Sequence, residues 1–327
     1  MLGTEADPIM WLPLVVLLMI IILFLLRRHR LSLVLDNLSE KYVLITGCDS
    51  GFGKQLAKQL DRREMRVLAT CFTQKGLEDL KKESSRRLQA VILDISDSKS
   101  VNAVAKWVSD AVGNNGLWGL VNNAGTGMPG APNEWLSKKD FERVINVNLL
   151  GHVDVTLSLL PLVRKCKGRI VNVSSIGGRV SICGGGYCIS KFGIEAFSDS
   201  LRHELKPFGV KVSIIEPGYF KTGLNDIEQM KNILRNIWNK IHAEVRYSYG
   251  EKYFQDYESE MEKAFKSLCN ADLTPVTDCM EHALTAVHPQ TRYSAGWDAK
   301  LFYIPLSYMP TALADFLLTL TAPSPDH

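Results

Sequence analysis

A tyrosine and a lysine four residues apart form the most informative chemical pair in the sequence. Tyr187 and Lys191 open the helix-like run YCISKFGIEAFSDSLRHELK, and this spacing puts both side chains on one helix face, one turn apart. A free phenol has a pKa of about 10 and is a poor base at neutral pH, but a neighbouring ammonium favours the phenolate. The pair could therefore take a proton from an alcohol.

Two serines precede this helix. The strand-like run GRIVNV ends in Ser174 and Ser175, and Ser175 lies twelve residues before Tyr187. A loop that returns over the end of the strand would bring both hydroxyls to one substrate oxygen. Tyrosine, serine and lysine are common surface residues, so the prediction depends on their combination.

A glycine-rich loop follows the first strand-like run. The segment TGCDSGFG at 46–53 lies between YVLI and the helix-like run KQLAKQLDRR. Its glycines permit a tight turn, and the helix N-terminus presents free N–H groups to a pyrophosphate. Because strand, loop and helix occur in this order, the segment predicts a dinucleotide site rather than a plain glycine-capped turn. The residues expected to bind are Thr46, Gly47, Asp49, Ser50, Gly51, Phe52 and Gly53.

Residues near the ends of the next two strands bear on the choice of cofactor. The stretch TCFT at 70–73 has neither an acidic residue for both ribose hydroxyls nor an arginine for a 2′-phosphate. Asp49 would repel a phosphate placed nearby, which favours NAD over NADP. Cys71 is expected beside the ribose. Asp94 and Ile95 are expected beside the adenine, unless Asp94 only begins a turn or helix.

A parallel sheet is needed to bring these residues together. Short β-rich runs at 42–46, 66–70, 88–93, 117–121, 169–173 and 210–215 alternate with amphipathic helical stretches. Runs such as VILDI and VSII are continuously apolar, as expected for strands covered by helices on both faces. The pattern predicts an α/β fold with a single Rossmann-type, doubly wound parallel sheet, whose ligands lie at the carboxyl ends of the strands.

These motifs together resemble the short-chain dehydrogenase/reductase superfamily over roughly residues 40 to 320. TGCDSGFG, NNAG, NVNLLG, SSIGG, YCISK and EPGYFKT occur in the order and approximate spacing of that family. GLWGLVNNAG, GGGYCISKFGIEAFSDSLR and YSAGWDAKLFYIPLSYMP look like the membrane-bound retinol dehydrogenases and the related 3α/17β-hydroxysteroid dehydrogenases. The gap between Ser175 and Tyr187 is one residue shorter than in many members.

The resemblance implies a role for each matching catalytic position. Tyr187 would be the general acid/base, and Lys191 would hold the nicotinamide ribose and lower the pKa of the tyrosine. Ser175, preferred to Ser174 because it directly precedes IGG, would bind and orient the substrate oxygen. Asn148 would position a water in a proton relay.

The same resemblance assigns further cofactor contacts. Asn123, Ala124 and Gly125 would pass beside the adenosine, whereas Asn122 is interpreted as a tie between neighbouring strands. The nicotinamide end would be held by Pro217, Gly218 and Thr222. The family commonly pairs through helices flanking the sheet, which implies a homodimer.

The N-terminal stretch 9–26 is uninterrupted and apolar. At about 18 residues it is near the minimum for crossing a bilayer. Glu5 and Asp7 stand where a signal peptide would be positive, and no small-residue cleavage pair follows, which favours a membrane helix. The cations of RRHR at 27–30 then place the N-terminus in the lumen and the body in the cytosol. Residues 1–30 are thus predicted to be a single-pass anchor in the endoplasmic reticulum membrane, and 31–327 one catalytic domain.

Two later segments are expected to surround the substrate. Residues 219–274 lack clear strands and are rich in aromatic residues, which either form an apolar lid for a long hydrophobic alcohol or pack helices on the sheet. The stretch 301–320 is apolar but broken by Pro305 and Pro310, and is expected to be an interfacial or entrance segment, with packing on the sheet edge as the alternative. The aromatic residues are Trp238, Tyr247, Tyr249, Tyr253, Phe254 and Tyr257.

The composition excludes several other classes of protein. The 327 residues are 46% hydrophobic and 22% charged, which rules out a disordered chain and a many-pass membrane protein. A net charge of +3 gives no sign of nucleic-acid binding. The seven scattered cysteines lack metal-ligand spacing, so they are expected to be reduced thiols without a metal.

The expected function is hydride transfer between NAD and a lipophilic alcohol. Retinol to retinal is the first expectation, and a 3α- or 17β-hydroxysteroid is the second. A noncatalytic scaffold on membranes or lipid droplets is disfavoured by the intact set of Asn148, Ser175, Tyr187 and Lys191. A sugar-nucleotide epimerase also uses a Tyr-x-x-x-Lys helix, but the aromatic lid and the anchor disfavour it.

Overall fold

The computed structural model describes residues 12–223, 226–320 and 322–325. Its centre is a parallel sheet of seven strands in the order β3-β2-β1-β4-β5-β6-β7. Because the winding reverses between β1 and β4, the sheet is the doubly wound Rossmann type that the sequence predicts, with a crevice at the carboxyl ends of those two strands. The strands are β1 Tyr42–Ile45, β2 Arg66–Cys71, β3 Gln89–Ile92, β4 Gly119–Asn122, β5 Arg169–Val173, β6 Lys211–Pro217 and β7 Arg292–Ala295.

Six of these strands lie where the apolar runs predict them, with ends shifted by one or two residues. Every residue of β1, β4 and β5 is buried, as a sheet covered on both faces requires. The sequence reasoning missed β7. That strand has four residues with alternating burial, and it exists through its pairing with 214–217 of β6 at the sheet edge.

Helices cover both faces of the sheet. α2, α3 and α11 pack on one face through a core that includes Leu56, Leu80 and Met280, and α4, α6 and α7 pack on the other through Val108 and Leu159. The helices are α1 Leu12–Ser32, α2 Gly51–Arg62, α3 Gln74–Lys82, α4 Ser98–Val112, α5 Lys138–Ile145, α6 His152–Lys165, α7 Gly186–Leu205, α8 Ile227–Lys240, α9 Ala243–Tyr249, α10 Glu251–Leu268, α11 Thr274–Thr285, α12 Ile304–Leu306 and α13 Thr311–Thr319.

Helix α1 is a candidate transmembrane helix. An 18-residue window of this 21-residue helix has a mean hydropathy of 2.2, and no residue of the helix is buried. The first three residues of the predicted span, 9–11, lie outside the described residues. The end of α1 is tied to the domain, because His282 Nε2 donates to the Leu31 carbonyl (2.7 Å) and the Leu35 N–H donates to the Thr285 carbonyl (2.8 Å).

The region predicted as a lid folds into α8, α9 and α10. These helices pack around Trp135, whose ring centroid lies 4.8 to 6.2 Å from five of the aromatic rings named above, all except that of Tyr247. Tyr247 is exposed. Five of these aromatics therefore pack around Trp135 rather than on the sheet, and of the six only Tyr257 also lines a cavity near the catalytic helix.

Candidate active site

Two cavities meet at the carboxyl ends of the central strands. The first, of about 650 Å³, extends over the glycine loop, and the second, of about 520 Å³, lies against α10 and reaches Leu318 in α13. Ser175, Tyr187 and Gly218 line both cavities. A molecule in the first cavity and one in the second would thus meet at the catalytic hydroxyls that the sequence predicts.

The glycine loop is shaped for a close backbone approach. Gly47 has a φ of 72°, and a Cβ placed on it would lie 2.7 Å from Ala124 Cα. A Cβ on Gly53 would clash with the Gly47 carbonyl. Ser50 precedes α2 without a side-chain capping bond, which leaves the N–H groups of the first helical turn available to an anion. This uncapped N-terminus and tight glycine cradle fit the pyrophosphate of a dinucleotide.

Residues at the end of β4 hold the glycine loop in place by hydrogen bonds. Thr46 Oγ1 accepts hydrogen bonds from the N–H groups of Asn123 (3.0 Å) and Ala124 (3.1 Å). Asn123 Nδ2 donates to the carbonyls of Thr46 (2.9 Å) and Gly47 (3.0 Å). Thr46 and Gly53 do not line the first cavity, so within the predicted set they act on the shape of the loop.

Asp49 belongs to the loop after β1, and its carboxylate lies beside the end of β2, near the predicted place of the adenosine ribose. Its carboxylate accepts from the N–H groups of Phe72 (2.7 Å) and Thr73 (2.8 Å) and from Thr73 Oγ1 (2.6 Å). The carboxylate packs against Gly76 in the first turn of α3, where a Cβ would lie 2.5 Å from Asp49 Oδ1. Cys71 is buried and does not line the cavity, whereas Phe72 does.

The remaining predicted cofactor residues line the first cavity. Asp94 lines the cavity, and its Oδ1 also accepts from the N–H (2.9 Å) and the hydroxyl (2.7 Å) of Ser96 in a turn. At the other end, the Tyr219 N–H donates to Asp298 Oδ2 (2.7 Å), which fixes the turn after β6. The other lining residues from the predicted set are Gly47, Ser50, Gly51, Phe52, Ile95, Asn123, Ala124, Gly125, Pro217, Gly218 and Thr222.

The two serines at the end of β5 have different surroundings. The Ser175 hydroxyl is hydrogen-bonded to the Tyr187 hydroxyl and also accepts from the Gly177 N–H (3.0 Å). The Ser174 hydroxyl instead donates to the Lys191 main-chain carbonyl (3.4 Å). Of the two serines, Ser175 is therefore the one placed to share a substrate oxygen with the tyrosine.

The protein's own groups hold Tyr187 as a neutral phenol. Burial raises the pKa of Tyr187 to about 12, and the Ser175 hydrogen bond offsets only part of that rise. Lys191 Nζ donates to the Val173 carbonyl (2.9 Å) and lies 5.7 Å from the tyrosine ring centroid. Burial lowers the pKa of Lys191 to about 8. The expected lowering of the tyrosine pKa is therefore absent among the protein groups, because burial outweighs an ammonium held by a carbonyl.

Asn148 lies on a π-helical turn between α5 and α6 and is fully buried. Its Oδ1 accepts from the Thr126 N–H (2.8 Å), and its Nδ2 donates to the Thr126 carbonyl (2.8 Å) and the Ser190 hydroxyl (3.2 Å). The side chain thus joins the loop after β4 to α7. Asn122 ties strands together as interpreted, because its Nδ2 donates to Asn172 Oδ1 on β5 (2.8 Å).

Sequence reasoning missed several residues of the site. Phe220 lies within EPGYFKT and Asp298 within YSAGWDAKLFYIPLSYMP, so the motifs were available signals although neither residue was predicted. Thr126 follows NNAG directly, so its adjacency to that motif was an available signal. The missed residues lining the first cavity are Phe72, Leu93, Thr126, Arg143, Val147, Val173, Ser174, Phe220 and Gly223.

Comparisons with known proteins agree with this geometry. Residues 41–232 match the family model described as short chain dehydrogenase. The chain is 58% identical to "Retinol dehydrogenase 16" of Mus musculus, over 97% of this chain and 99% of the relative. It is 53% identical to "17-beta-hydroxysteroid dehydrogenase type 6" of Bos taurus, again over 97% of this chain and 99% of the relative.

Solved structures share the fold. A short-chain dehydrogenase from Streptomyces avermitilis has a TM-score of 0.67 at 26% identity, over 86% of this chain and 96% of that one. A Burkholderia phymatum protein in complex with NAD has a TM-score of 0.67 at 22% identity, over 83% and 94% of the two chains. A Burkholderia cenocepacia protein in complex with NADP has a TM-score of 0.64 at 21% identity, over 85% and 98%. With the Tyr-x-x-x-Lys helix, the glycine loop and the doubly wound sheet in place, the chain belongs to the short-chain dehydrogenase family of nicotinamide-dependent oxidoreductases.

Proposed function

We propose that the protein oxidises a lipophilic alcohol with NAD, with retinol to retinal as its main reaction. The observation that carries the proposal is the junction of the two cavities at Ser175 and Tyr187. A nicotinamide dinucleotide in the first cavity would meet an alcohol in the second at these two hydroxyls. The relatives named as a retinol dehydrogenase and a hydroxysteroid dehydrogenase support alcohols of this kind as substrates.

The walls of the second cavity suit a long apolar molecule. Apolar side chains from the loops after β4 and β5, from α8 and α10 and from α13 form most of its surface, and a chain that fills it gains about 0.8 kcal/mol per buried CH₂. A polyene alcohol needs a polar contact only at its reacting oxygen. The apolar lining residues include Met128, Ile176, Ile182, Met230, Met261, Phe265 and Leu318.

One feature of the same cavity favours a hydroxysteroid as a second substrate. Glu260 and Lys263 both line it and form an ion pair (2.7 Å). A steroid diol or hydroxyketone carries a second oxygen far from the reacting one, and this pair offers it a donor and an acceptor. Retinol has no second oxygen, so the ion pair gives it no comparable contact.

Each catalytic residue has its own role in the proposed reaction, and bound NAD would accept the hydride. Ser175 orients the substrate oxygen, and Tyr187 exchanges the proton with that oxygen. With its pKa raised to about 12, the neutral phenol is ready to donate in carbonyl reduction, and alcohol oxidation requires its deprotonation. Lys191 would supply positive charge and hold the ribose, and Asn148 would keep the loop at Thr126 and α7 in register for the relay.

The preference for NAD follows from the position of Asp49. Its carboxylate occupies the end of β2 and already accepts three hydrogen bonds there, so a 2′-phosphate placed at this point would meet a fixed negative charge. The cation Arg66 cannot compensate, since it lies at the opposite end of β2 and donates to the Tyr42 hydroxyl (2.7 Å). We propose that the ribose of NAD lies beside Asp49 and Phe72.

The organisation of the chain completes the proposal. Residues 1–30 anchor it in the endoplasmic reticulum membrane by a single pass, and residues 31–327 form one cytosolic domain that pairs into a homodimer. Within that domain 219–274 is the lid and 301–320 adjoins the entrance, as supported by Leu318, Ala322 and Pro323 in the cavity wall. Protease treatment of intact microsomes tests the orientation, since a body that resists digestion until detergent is added would contradict it.

The substrate proposal is tested with the full chain purified in detergent. All-trans-retinol and androstanediol are each offered with NAD and with NADP, and formation of the reduced nicotinamide is followed by absorbance. We expect turnover with NAD, with a higher kcat/KM for retinol. A Lys263→Met variant should lower the kcat/KM for the steroid and leave that for retinol within about threefold, since only the steroid carries a second oxygen that this side chain can contact. No turnover of any apolar alcohol would contradict the proposal.

A further inference from the structure

Two cysteines lie beside the catalytic tyrosine, and the proposed reaction does not use them. The sulfurs of Cys183 and Cys188 are 3.6 Å apart and share a hydrogen bond. Cys188 directly follows Tyr187 in the first turn of α7 and is buried. Cys183 lies in the preceding loop and lines the same cavity as Tyr187. The pair therefore connects the cavity wall to the helix that carries the catalytic hydroxyl.

The backbone between the two cysteines makes this approach feasible. They are separated by three glycines and Tyr187, in the sequence CGGGYC. Gly185 has a φ of 87°, a left-handed conformation that side chains disfavour, and here the loop turns into α7. Glycines also restrain a chain less than other residues do, so this loop can adjust to a shorter sulfur–sulfur distance.

The surroundings favour one negative charge on the pair. The hydrogen bond from Cys183, the N–H groups of Ile182 and Cys183 and the Ser181 side chain lower the pKa of Cys188 to about 6. The same pairing, together with burial, raises the pKa of Cys183. The titratable groups that also interact with these thiols are Tyr187, Tyr219 and Tyr257. A thiolate is the form of cysteine that reacts with oxidants.

Four other cysteines lack these properties. Burial raises the pKa of Cys48, Cys71, Cys166 and Cys279, which keeps them as thiols. Among these, Cys279 is partly buried in α11 and lines neither of the two cavities, so it serves as a matched control for oxidation.

We propose that Cys183 and Cys188 form a redox modification site that a hydroperoxide entering the substrate cavity converts to a disulfide. One sulfur attacks the peroxide, the O–O bond breaks, an alcohol leaves and the sulfur becomes a sulfenic acid. The second sulfur then attacks the first, the S–S bond forms, and the hydroxyl leaves as water with the thiol proton. Two thiols and one hydroperoxide thus give one disulfide, one alcohol and one water.

The disulfide changes the catalytic end of the cavity. An S–S bond of about 2.05 Å requires the sulfurs to approach each other by about 1.5 Å, which moves the Cys183 wall and the first turn of α7 at Tyr187. Displacements of about 1 Å at reacting groups can cost on the order of 100-fold in rate. The glycine loop at 46–53 lies on other elements and Lys191 lies one turn beyond Tyr187 on α7, so affinity for the nucleotide is expected to change little.

The test uses the full chain in detergent, reduced and then treated with tert-butyl hydroperoxide near neutral pH. The remaining thiols are alkylated and the protein is digested with trypsin. The mass of the peptide 180–191, which contains both cysteines, is then measured by mass spectrometry. We expect this peptide to be unalkylated and two hydrogens lighter, and retinol turnover to fall by about tenfold or more, with recovery after dithiothreitol. NAD affinity, followed by ligand-induced quenching of tryptophan fluorescence, should stay within about threefold.

Variants make the test specific. For each variant, the retinol turnover of the oxidised protein is divided by that of the reduced protein, so that differences in basal rate between variants cancel. Cys183→Ser and Cys188→Ser should form no disulfide in this peptide and show no reversible loss, whereas Cys279→Ser should behave like the wild type. The proposal would be overturned if activity fell while Cys183 and Cys188 were still free to be alkylated. It would also be overturned if the disulfide formed completely and turnover did not change. If the reduced protein turns over no alcohol, the proposed function fails. The redox proposal is then still tested by the mass of the peptide, which shows whether the disulfide forms.

Discussion

Replacing Asp49 with asparagine should change the cofactor preference. The carboxylate accepts three hydrogen bonds at the end of β2, from Phe72 and Thr73. The asparagine oxygen can keep the bonds from Thr73, while its NH₂ group cannot accept from the Phe72 N–H. The substitution therefore removes one negative charge and one hydrogen bond from the proposed ribose site.

The magnitude follows from the charge of the 2′-phosphate. Asp49 is partly exposed, so two unit charges about 4 Å apart repel by about 1 kcal/mol in a water-like dielectric, and by about 2 kcal/mol for a phosphate of nearly two charges. Removing this repulsion should raise kcat/KM for NADP, relative to that for NAD, by about 30-fold, at 1.36 kcal/mol per factor of ten. The lost hydrogen bond joins two protein groups and is worth about 1 kcal/mol, so it should lower kcat/KM for both cofactors alike and cancel in their ratio.

The assay measures kcat/KM for NAD and NADP with the same alcohol in the wild type, in Asp49→Asn and in Asp79→Asn. Asp79 is a partly exposed residue on the same helix, α3, that the Asp49 carboxylate packs against, and its variant carries the same change in net charge. We expect the NAD to NADP ratio to fall by roughly 30-fold in Asp49→Asn alone. An unchanged ratio, or an equal change in Asp79→Asn, would refute the placement of Asp49 beside the ribose.

Three further predictions follow from buried contacts. Gly53→Ala should weaken NAD binding by about tenfold or more, because the added methyl group clashes with the Gly47 carbonyl. The affinity is measured by fluorescence titration, and unchanged binding would contradict the shape assigned to the glycine loop. Burial lowers the pKa of His152 from 6.5 to about 3. The unfolded chain therefore takes up this proton first, and the free energy of unfolding should fall by about 2 to 3 kcal/mol from this residue between pH 7 and pH 4.5. A His152→Gln variant, in which the unfolding free energy is measured by urea titration, should lack that share of the decline, and parallel pH profiles would contradict the assignment. Trp135→Ala removes the centre of the lid packing and should raise KM for the alcohol severalfold while NAD affinity is kept, since truncating a buried tryptophan costs about 3 to 5 kcal/mol. An equal loss of NAD affinity would show that the cluster does not belong to the lid alone.

The sheet and the two main motifs could be predicted because their signals are local. An apolar run such as YVLI must be covered on both faces, and TGCDSGFG carries its strand, turn and helix start within one contiguous segment. Tyr187 and Lys191 are related by helix geometry alone. Each of these predictions needed only the period of a strand or helix and the conformational freedom of glycine.

The remaining features depend on contacts between distant parts of the chain. The Asp298 carboxylate that fixes the turn at Tyr219 lies 79 residues further along, and the neighbours of Trp135 come from the lid helices about a hundred residues later. β7 has the sequence RYSA and lacks the apolar run that marks the other strands. The pKa of Tyr187 also could not be predicted, because the lysine at the correct helical spacing donates to the Val173 carbonyl while burial acts on the phenol.

The central claim is that the Tyr187 hydroxyl exchanges the reacting proton with the oxygen of the alcohol. Tyr187→Phe removes only that oxygen from a buried ring, and the most direct measurement is kcat for retinol together with the Kd for NAD in this variant and in the wild type. The account predicts a loss in kcat of about 100-fold to 10,000-fold, with a Kd for NAD within about threefold of the wild type. A variant that retains a tenth or more of the wild-type kcat would contradict it.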